Sequence, residues 1–335
     1  MRLLLATVTL ALSAVVSAVP GPGVVTGDTA VHDPTMCKDK NGKYWVFSTG
    51  QGIPIRSSTD RTAFKLEGKV WPNGASWTDQ YTGTSNGRSD LWAPDCYYSG
   101  GTFYVRILHL SPWLLLTECK QLYYAASSFG SQNSAIFFAK STTGAPGSFT
   151  NQGLVTSTSS SNNYNAVLTL QAIDPNLLVV GNTWYLSLGS FWTGIKSFQL
   201  EPTTGKPNGS AITSLAQRTA AGGAIEASSI FKNGNFYYLF TSWDKCCSGT
   251  SSTYNIRVGR SSNPNGGFVD QAGVALTAGG GTLVLGSHDK IIGPGGQDLM
   301  DDGDGPILIY HYYTSAGSFL GINRLDFSSG WPVVV

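Results

Sequence analysis

The feature that most constrains the fold is a pattern that recurs five times: a short apolar strand, a tight turn rich in Gly or Asn, and an aromatic strand. Turn pairs such as Asn-Gly, Gly-Gly and Asp-Gly between apolar runs favour hairpins, because these residues accept the positive φ of a two-residue turn. The copies begin at His32, Ala93, Ile173, Ile225 and Gly295. Hairpins repeated at this spacing are typical of blades around an axis. The sequence therefore predicts an all-β fold, a five-bladed β-propeller.

Length and composition favour one domain. The chain has 335 residues, 41 of them Gly, and the repeats run from about residue 30 to the end without a linker. We expect a single propeller over residues 19–335. Charged residues make up 12% of the chain and the net charge is +1. Because no basic patch is apparent, we expect no nucleic-acid partner. We also expect no membrane partner, and a monomer.

The N-terminus predicts a signal peptide over residues 1–18. Arg2 precedes an apolar run that ends at Val16, and Val16-Ser17-Ala18 has the small residues of a cleavage site. The alternative is a membrane anchor, but the run is shorter than the roughly 20 residues that a span requires. We therefore expect cleavage after Ala18 and a secreted, extracellular protein.

Export permits disulfides, and the chain has five cysteines. Cys246 and Cys247 are adjacent, and a bridge between them is one option. Cys37 and Cys96 lie in corresponding early strands of successive blades, so they are a second candidate pair. The sequence leaves the connectivity open.

The second repeat contains an excess of residues. The interval from Asp33 to Asp95 is 62 residues and that from Asp95 to Asp174 is 79. Removing residues 105–121 joins Thr102-Phe103-Tyr104 to Leu122 and restores a clean strand. Val can begin a GT splice site and Gln can end a CAG site, so one hypothesis is a translated intron. The alternative is a genuine loop insertion.

Four repeats open on a carboxylate: Asp33, Asp95, Asp174 and Glu226. Inner strands of a propeller begin at one rim of the central funnel, so we expect these acids in one register and close together. Acidic residues are depleted in strands, which makes their recurrence notable. A pair of carboxyl groups can hydrolyse a glycosidic bond, one as acid and one as base. The alternative for each Asp alone is a turn or strand-entry cap.

An ordered set of segments gives the chain a family resemblance. It is similar to glycoside hydrolase family 43, and most closely to the fungal endo-1,5-α-L-arabinanases. The likeness runs from about residue 24 to the end, except over residues 105–121. The matching segments are H-D-P at His32, L-W-A-P-D at Leu91, F-G-S-Q-N-S-A-I at Phe129, A-I-D-P at Ala172, G-S-F-W-T-G-I at Gly189, G-A-I-E-A-S at Gly223, G-S-H-D-K-I-I-G-P-G-G-Q at Gly286, I-Y-H-Y-Y at Ile309 and G-W-P-V-V at Gly330.

The resemblance implies internal cuts in α-1,5-linked arabinan, the side chain of pectin, by an inverting mechanism. It makes Asp33 the general base and Glu226 the general acid, with Asp174 orienting the acid and raising its pKa. Aromatic and polar residues near these acids are candidates for contact with the sugar, although a Trp in a propeller can equally pack between blades. The candidate substrate-binding residues are His32, Trp92, Asp95, Phe191, Trp192, Trp243 and His311.

The last repeat departs from the family pattern. Many members carry a His in a G-P-G-H-N corner that helps to bind a central cation, whereas Gly296 occupies that place here. His311 follows in the next strand. The resemblance implies no required cofactor, and a central Ca²⁺ or Na⁺ ion held through waters stays open. Asp301, Asp302 and Asp304 predict a hairpin turn rather than a metal loop.

Two other functions fit the same residues. An exo-acting α-L-arabinofuranosidase or β-xylosidase uses the same fold when loops block one end of the cleft. A catalytically inactive sugar-binding propeller is an alternative from another class.

Overall fold

The computed structural model describes residues 19–99, 119–159 and 171–335. The predicted signal peptide, residues 1–18, lies outside the described residues, as do residues 105–118 of the suspected insertion. The described strands form five sheets, which confirms the predicted five-bladed β-propeller.

Each blade is an antiparallel meander in which one strand lines the central axis. Blade 1 contains β1 (Thr26–Gly27), β2 (Thr35–Lys38), β3 (Tyr44–Phe47), β5 (Pro54–Ser58) and β6 (Ala63–Lys69), and β1 joins β6 in parallel. Blade 2 contains β7 (Asp90–Ser99), β8 (Cys119–Ala126), β9 (Ser134–Ser141) and β10 (Thr150–Thr158), with β4 (Gly50–Gln51) paired to β7. Blade 3 contains β11 (Asn176–Val180), β12 (Thr183–Leu188), β13 (Ile195–Glu201), β14 (Lys206–Pro207) and β15 (Thr213–Ala216).

The last two blades have four strands each. Blade 4 contains β16 (Ile225–Asn233), β17 (Phe236–Trp243), β18 (Asn255–Ser261) and β19 (Thr282–Leu285). Blade 5 contains β20 (Ile292–Asp302), β21 (Gly305–Thr314), β22 (Gly317–Asp326) and β23 (Val333–Val334). Helical structure in the described ranges is confined to single turns: α1 (Asp79–Thr82) and 3-10 turns at Ser76–Thr78, Ala221–Gly223, Gly249–Ser251 and Leu276–Ala278. None of these helices is long or apolar enough to cross a membrane.

The hydrophobic core lies between neighbouring blades as five wedges. Between blades 1 and 2, Phe47 packs edge to face against Phe149 with ring centroids 5.7 Å apart. In blade 2, the cross-strand neighbours Tyr123 and Phe138 stack at 4.5 Å, and they belong to the apolar cluster that packs against blade 3. Burial of these aromatic faces drives one sheet onto the next, and it leaves the polar axis of the propeller free for a site.

The inner strands β2, β7, β11, β16 and β20 enter the funnel through a left-handed residue. These residues are Asp33, Ala93, Asp174, Ala227 and Gly296, with φ of 44°, 39°, 54°, 52° and 57°. A positive φ outside glycine is uncommon and marks a constrained position. In blades 1 to 4 the residue before this one faces the open end of the funnel, and in all five blades the residue two places later is buried.

This register corrects one prediction. Asp95 does not correspond to Asp33, because Ala93 does, so the four carboxylates are not in one register. The intervals between corresponding residues Asp33, Ala93 and Asp174 are therefore 60 and 81 residues, and the excess in the second interval is 21 rather than 17. Glu226 stands one place before its left-handed neighbour Ala227, in the position that His32 holds in blade 1, and a register irregularity in β16 follows it.

A disulfide joins the first two blades, and hydrogen bonds close the ring. A disulfide joins Cys37 of β2 to Cys96 of β7, as one sequence option anticipated. The first described segment bonds to the last blade: Val31 N–H donates to Ser318 O at 3.3 Å, and Leu320 N–H donates to Thr29 O at 2.9 Å. The first described segment and blade 5 therefore hold each other.

Candidate active site

A cleft of about 860 Å³ opens at one end of the funnel. That volume lies towards the upper end of the usual range for ligand sites. Its lining includes the three predicted catalytic carboxylates, Asp33, Asp174 and Glu226. It also includes residues that precede the left-handed position in their blades: His32, Trp92, Ile173 and Glu226. Four of the five blades thus contribute a strand entry to the cleft.

Asp33 is held as an ionised carboxylate. His32 Nδ1 lies 2.9 Å from its Oδ2, and Thr49 Oγ1 donates to the same oxygen at 2.9 Å. Burial raises the pKa of Asp33, but the neighbouring His32, His311 and Thr49 outweigh it and hold that pKa well below its usual range. The backbone is fixed as well, since Asp33 N–H donates to His311 Nδ1 at 3.1 Å. A carboxylate in this state can accept a proton from water.

Glu226 has the opposite environment. Burial raises the pKa of Glu226 above its ordinary value, and the charge of Asp33 adds to this, while hydrogen bonds with Ser190 and Tyr254 offset part of the rise. Ser190 Oγ lies 2.6 Å from Oε2, and Tyr254 Oη donates to Oε1 at 2.8 Å. The two environments therefore shift the pKa values of Asp33 and Glu226 in opposite directions. Such a difference allows one carboxyl group to act as a general base and the other as a general acid.

Asp174 is coupled to Glu226. Its Oδ2 accepts the backbone N–H of Ala227, the residue after Glu226, at 2.9 Å. Burial raises the pKa of Asp174 well above its ordinary value, and the charges of Glu226 and Asp33 raise it further. Because the repulsion between Asp174 and Glu226 acts on both, the pair retains a proton more readily than either acid alone.

Aromatic side chains form one wall of the cleft. Trp92, Phe191 and Trp192 line it as candidates from the sequence, and Phe129 lines it as well. Phe129 is 86% exposed and Trp192 is 41% exposed, so these rings present flat apolar faces to the cleft. Phe191 and Trp192 also have positive φ, at 50° and 39°. Phe129 was not among the candidates from the sequence, although it begins the matching segment F-G-S-Q-N-S-A-I, which could have identified it.

Three of the candidate substrate contacts do not line the cleft. Trp243 is buried in the wedge between blades 3 and 4, where Arg218 and Arg257 pack on its ring. Asp95 is buried below the cleft and accepts hydrogen bonds from Asn176 Nδ2 at 2.9 Å and Leu177 N–H at 2.8 Å, so it links blade 2 to blade 3. Burial, together with the charge of Asp298, raises the pKa of Asp95 to about 8.

His311, the third, is fully buried behind Asp33. Burial lowers its pKa well below the ordinary value, so the ring is neutral. It stacks on His32 with ring centroids 4.0 Å apart, and it holds the backbone of Asp33 rather than a sugar.

Sequence reasoning missed the groups that hold the carboxylates. Thr49, Ser190, Tyr254 and Tyr313 each make a hydrogen bond to a predicted site residue, and none of them stands at a repeat opening. Ser190 lies in the G-S-F-W-T-G-I segment, which was a usable signal. Tyr254 and Thr49 are brought in by the fold alone.

His32, Asp33 and His311 place potential metal-ligand atoms within 4.8 Å of one another. Their nitrogens are already engaged. His32 contacts Asp33 through Nδ1 and Tyr313 through Nε2, and His311 accepts from Asp33 N–H through Nδ1 and contacts Tyr313 through Nε2. Ca²⁺ also prefers oxygen ligands. These three residues therefore do not fit a directly bound central cation.

Comparison with known proteins agrees with this geometry. The family model for glycosyl hydrolases family 43 matches residues 24–332. The chain is 38% identical to a probable arabinan endo-1,5-alpha-L-arabinosidase A of Aspergillus flavus, over 96% of each chain. It is 37% identical to extracellular endo-alpha-(1->5)-L-arabinanase 1 of Bacillus subtilis, over 94% of this chain and 92% of the relative.

A solved structure shares the fold. The family 43 endo-arabinanase from Bacillus licheniformis superposes with a TM-score of 0.79 and 36% identity, and the match covers 92% of this chain and 99% of that one. Sequence and fold agree over nearly the whole described chain. The protein is therefore a glycoside hydrolase and belongs to glycosyl hydrolases family 43.

Proposed function

We propose that this protein is a secreted endo-1,5-α-L-arabinanase, which cuts linear α-1,5-arabinan internally and acts as a monomer. The observation that carries the proposal is the opposed ionisation of Asp33 and Glu226 in one cleft walled by aromatic rings. The names of the relatives from Aspergillus flavus and Bacillus subtilis support arabinan as the substrate. The predicted signal peptide and the extracellular relative support secretion.

The chemistry follows from the two carboxyl groups. Asp33, as general base, takes a proton from the water that attacks the anomeric carbon. Glu226, as general acid, gives its proton to the oxygen of the departing sugar, and Asp174 keeps that proton available and holds the backbone beside Glu226. A side chain accepts one proton and a second side chain donates the other, so the proposed reaction uses no cofactor. An inverting mechanism requires the two carboxyl groups roughly 6.5 to 9.5 Å apart, and this separation stays a prediction.

The first experiment measures viscosity and reducing-sugar release from linear α-1,5-arabinan with residues 19–335. Internal cutting lowers viscosity faster than new ends appear. Release of arabinose alone identifies the exo-acting alternative. Retention on the polymer without products identifies a sugar-binding propeller and overturns the proposal.

Proton NMR of the first-formed products tests the stereochemistry. Inversion of an α-linked substrate gives β reducing ends before mutarotation. Initial α ends contradict the single-displacement mechanism and the role of Asp33 as base.

Substrates with different leaving groups can separate the roles of Asp33 and Glu226. In Glu226→Gln, we expect kcat on arabinan to fall by about 10²- to 10⁴-fold, and by much less on an aryl arabino-oligosaccharide whose phenolate leaves without protonation. In Asp33→Asn, both substrates lose activity alike, because water activation is required in each case. Equal losses on both substrates in Glu226→Gln contradict its assignment as general acid.

A further inference from the structure

The disulfide between the adjacent residues Cys246 and Cys247 has no role in the reaction described so far. It follows β17 and lies at the rim of the cleft that holds the carboxylates. Cys246 is half-buried and Cys247 is exposed. Both line the cleft, and Cys247 Sγ lies 3.7 Å from His32 Nε2. The bridge therefore stands on the side of the cleft that carries the proposed general base.

The bridge constrains the backbone of Cys247. A disulfide between neighbours closes a small ring that includes their peptide bond, so the torsions of that dipeptide are restricted. Cys247 has a φ of 61°, in the left-handed region that residues other than glycine rarely adopt. In this conformation its N–H donates to Tyr313 Oη at 3.0 Å.

Tyr313 carries this restraint to the base. Its hydroxyl lies 2.8 Å from His32 Nε2, and the other ring nitrogen of His32 lies 2.9 Å from Asp33 Oδ2. His311 Nε2 donates to the same hydroxyl at 3.1 Å, since His311 Nδ1 is the acceptor for Asp33 N–H. Tyr313 Oη therefore contacts both imidazoles that hold Asp33, and the Cys247 N–H is its third hydrogen-bond partner.

We propose that the Cys246–Cys247 disulfide is a positioning element for the general base, acting through the Cys247 N–H, Tyr313 Oη and His32 on Asp33. The inference rests on the proposed role of Asp33. Without the bridge, the dipeptide gains freedom, Tyr313 loses a fixed donor, and His32 holds Asp33 less firmly. Misplacement of a catalytic group by about 1 Å can cost 10²-fold in rate.

The test compares Cys246→Ser/Cys247→Ser, Tyr313→Phe and the combined triple variant. We expect each of the first two to lower kcat by roughly tenfold with a smaller change in KM, and the triple variant to be no worse than Tyr313→Phe, because both act through one hydroxyl. We also expect the acidic limb of the kcat profile to move to higher pH, since a weaker His32 contact lets the pKa of Asp33 rise. The proposal is overturned if the losses of the serine variant and of Tyr313→Phe multiply in the triple variant. It is also overturned if the acidic limb of the kcat profile stays in place.

A second measurement is independent of the substrate. The ¹⁵N shifts of the His32 ring report hydrogen bonding at each nitrogen, and we expect Nε2 to change alike in Cys246→Ser/Cys247→Ser and in Tyr313→Phe. An unchanged Nε2 signal in the serine variant overturns the inference even if arabinan is not the substrate. Should the serine variant fail to fold, selective reduction of the exposed bridge in the native enzyme, confirmed by mass spectrometry, gives the same comparison, and reoxidation must restore the signal.

Discussion

Gly296 lies directly against the carboxylate of Asp33. A Cβ at this position would stand 2.3 Å from Asp33 Oδ1 and 2.8 Å from His311 Nδ1, which is closer than real contacts allow. Gly296 also has a φ of 57°, where side chains are strained. The missing side chain in the last blade therefore makes room for the base and its buried imidazole.

Gly296→Ala should lower kcat/KM by about 10²-fold, because Asp33 must shift away from its partners. Gly303→Ala is the matched control in the hairpin that follows β20, since nothing lies within 4 Å of its Cβ. Kinetics on arabinan with both variants check the prediction. Equal activity of the two variants contradicts a tight fit at Gly296.

The coupled acids predict a shift in the pH profile. Asp174→Asn removes a like charge beside Glu226 but keeps an oxygen that can accept the Ala227 N–H. Loss of repulsion lowers the pKa of Glu226, so the acid loses its proton at lower pH. We expect the alkaline limb of kcat/KM to move to lower pH. An alkaline limb that stays in place shows that Asp174 does not govern the protonation of Glu226.

At the scale of the strand, β8 begins inside the suspected insertion. Cys119, Lys120 and Gln121 pair with Ser99, Tyr98 and Tyr97 of β7. Gln121 is fully buried, and its side-chain amide has no hydrogen-bond partner among the described residues. An unpaired buried amide costs about 1–3 kcal/mol. Deleting residues 105–121 places Thr102, Phe103 and Tyr104 in these three positions and removes that amide.

We propose that residues 105–121 are a translated intron, and we expect their deletion to raise the free energy of unfolding by about 1–3 kcal/mol. Urea denaturation of the full and deleted chains measures this, with Gln121→Met in the full chain as the control for the amide alone. Sequencing the spliced transcript is the direct check. A message that retains the segment, or a deleted chain that is less stable, favours a genuine loop.

At the scale of the whole molecule, the ring depends on the contact between the first described segment and blade 5. Gly23 N–H donates to Ile322 O at 2.9 Å, and Ser318 Oγ donates to Val31 O at 2.6 Å, in addition to the bonds of Thr29 and Val31. This segment runs directly into His32 and Asp33. Closure of the propeller and placement of the base are therefore coupled.

A chain that begins at residue 32 should lose about 3 kcal/mol of stability, since several hydrogen bonds of about 1 kcal/mol each disappear. We expect Tm to fall by several degrees and arabinan hydrolysis to fall with it. A chain that begins at residue 23 is the control, because it keeps the bonds of Gly23, Thr29 and Val31. If both chains unfold at the same temperature, the closure contributes nothing.

The fold and the three proposed catalytic residues could be predicted from the sequence. Turn residues with positive φ and alternating apolar strands are local signals, and five copies of them define blades without reference to distant contacts. Asp33, Asp174 and Glu226 follow from the family motifs, and the structure places all three in one cleft.

The register of the acids at the axis became clear only in the folded ring. Asp95 begins a repeat in the sequence as Asp174 does, yet Ala93 holds the left-handed position of β7, and Asp95 lies two places after it. The same holds for Trp243 and His311, whose burial depends on which blade packs against them. Tyr313 joins the site by contacting His32, which is 281 residues away in the sequence, and Cys247, which is 66 residues away. Local sequence specifies each strand, whereas the closed ring specifies which side chains meet.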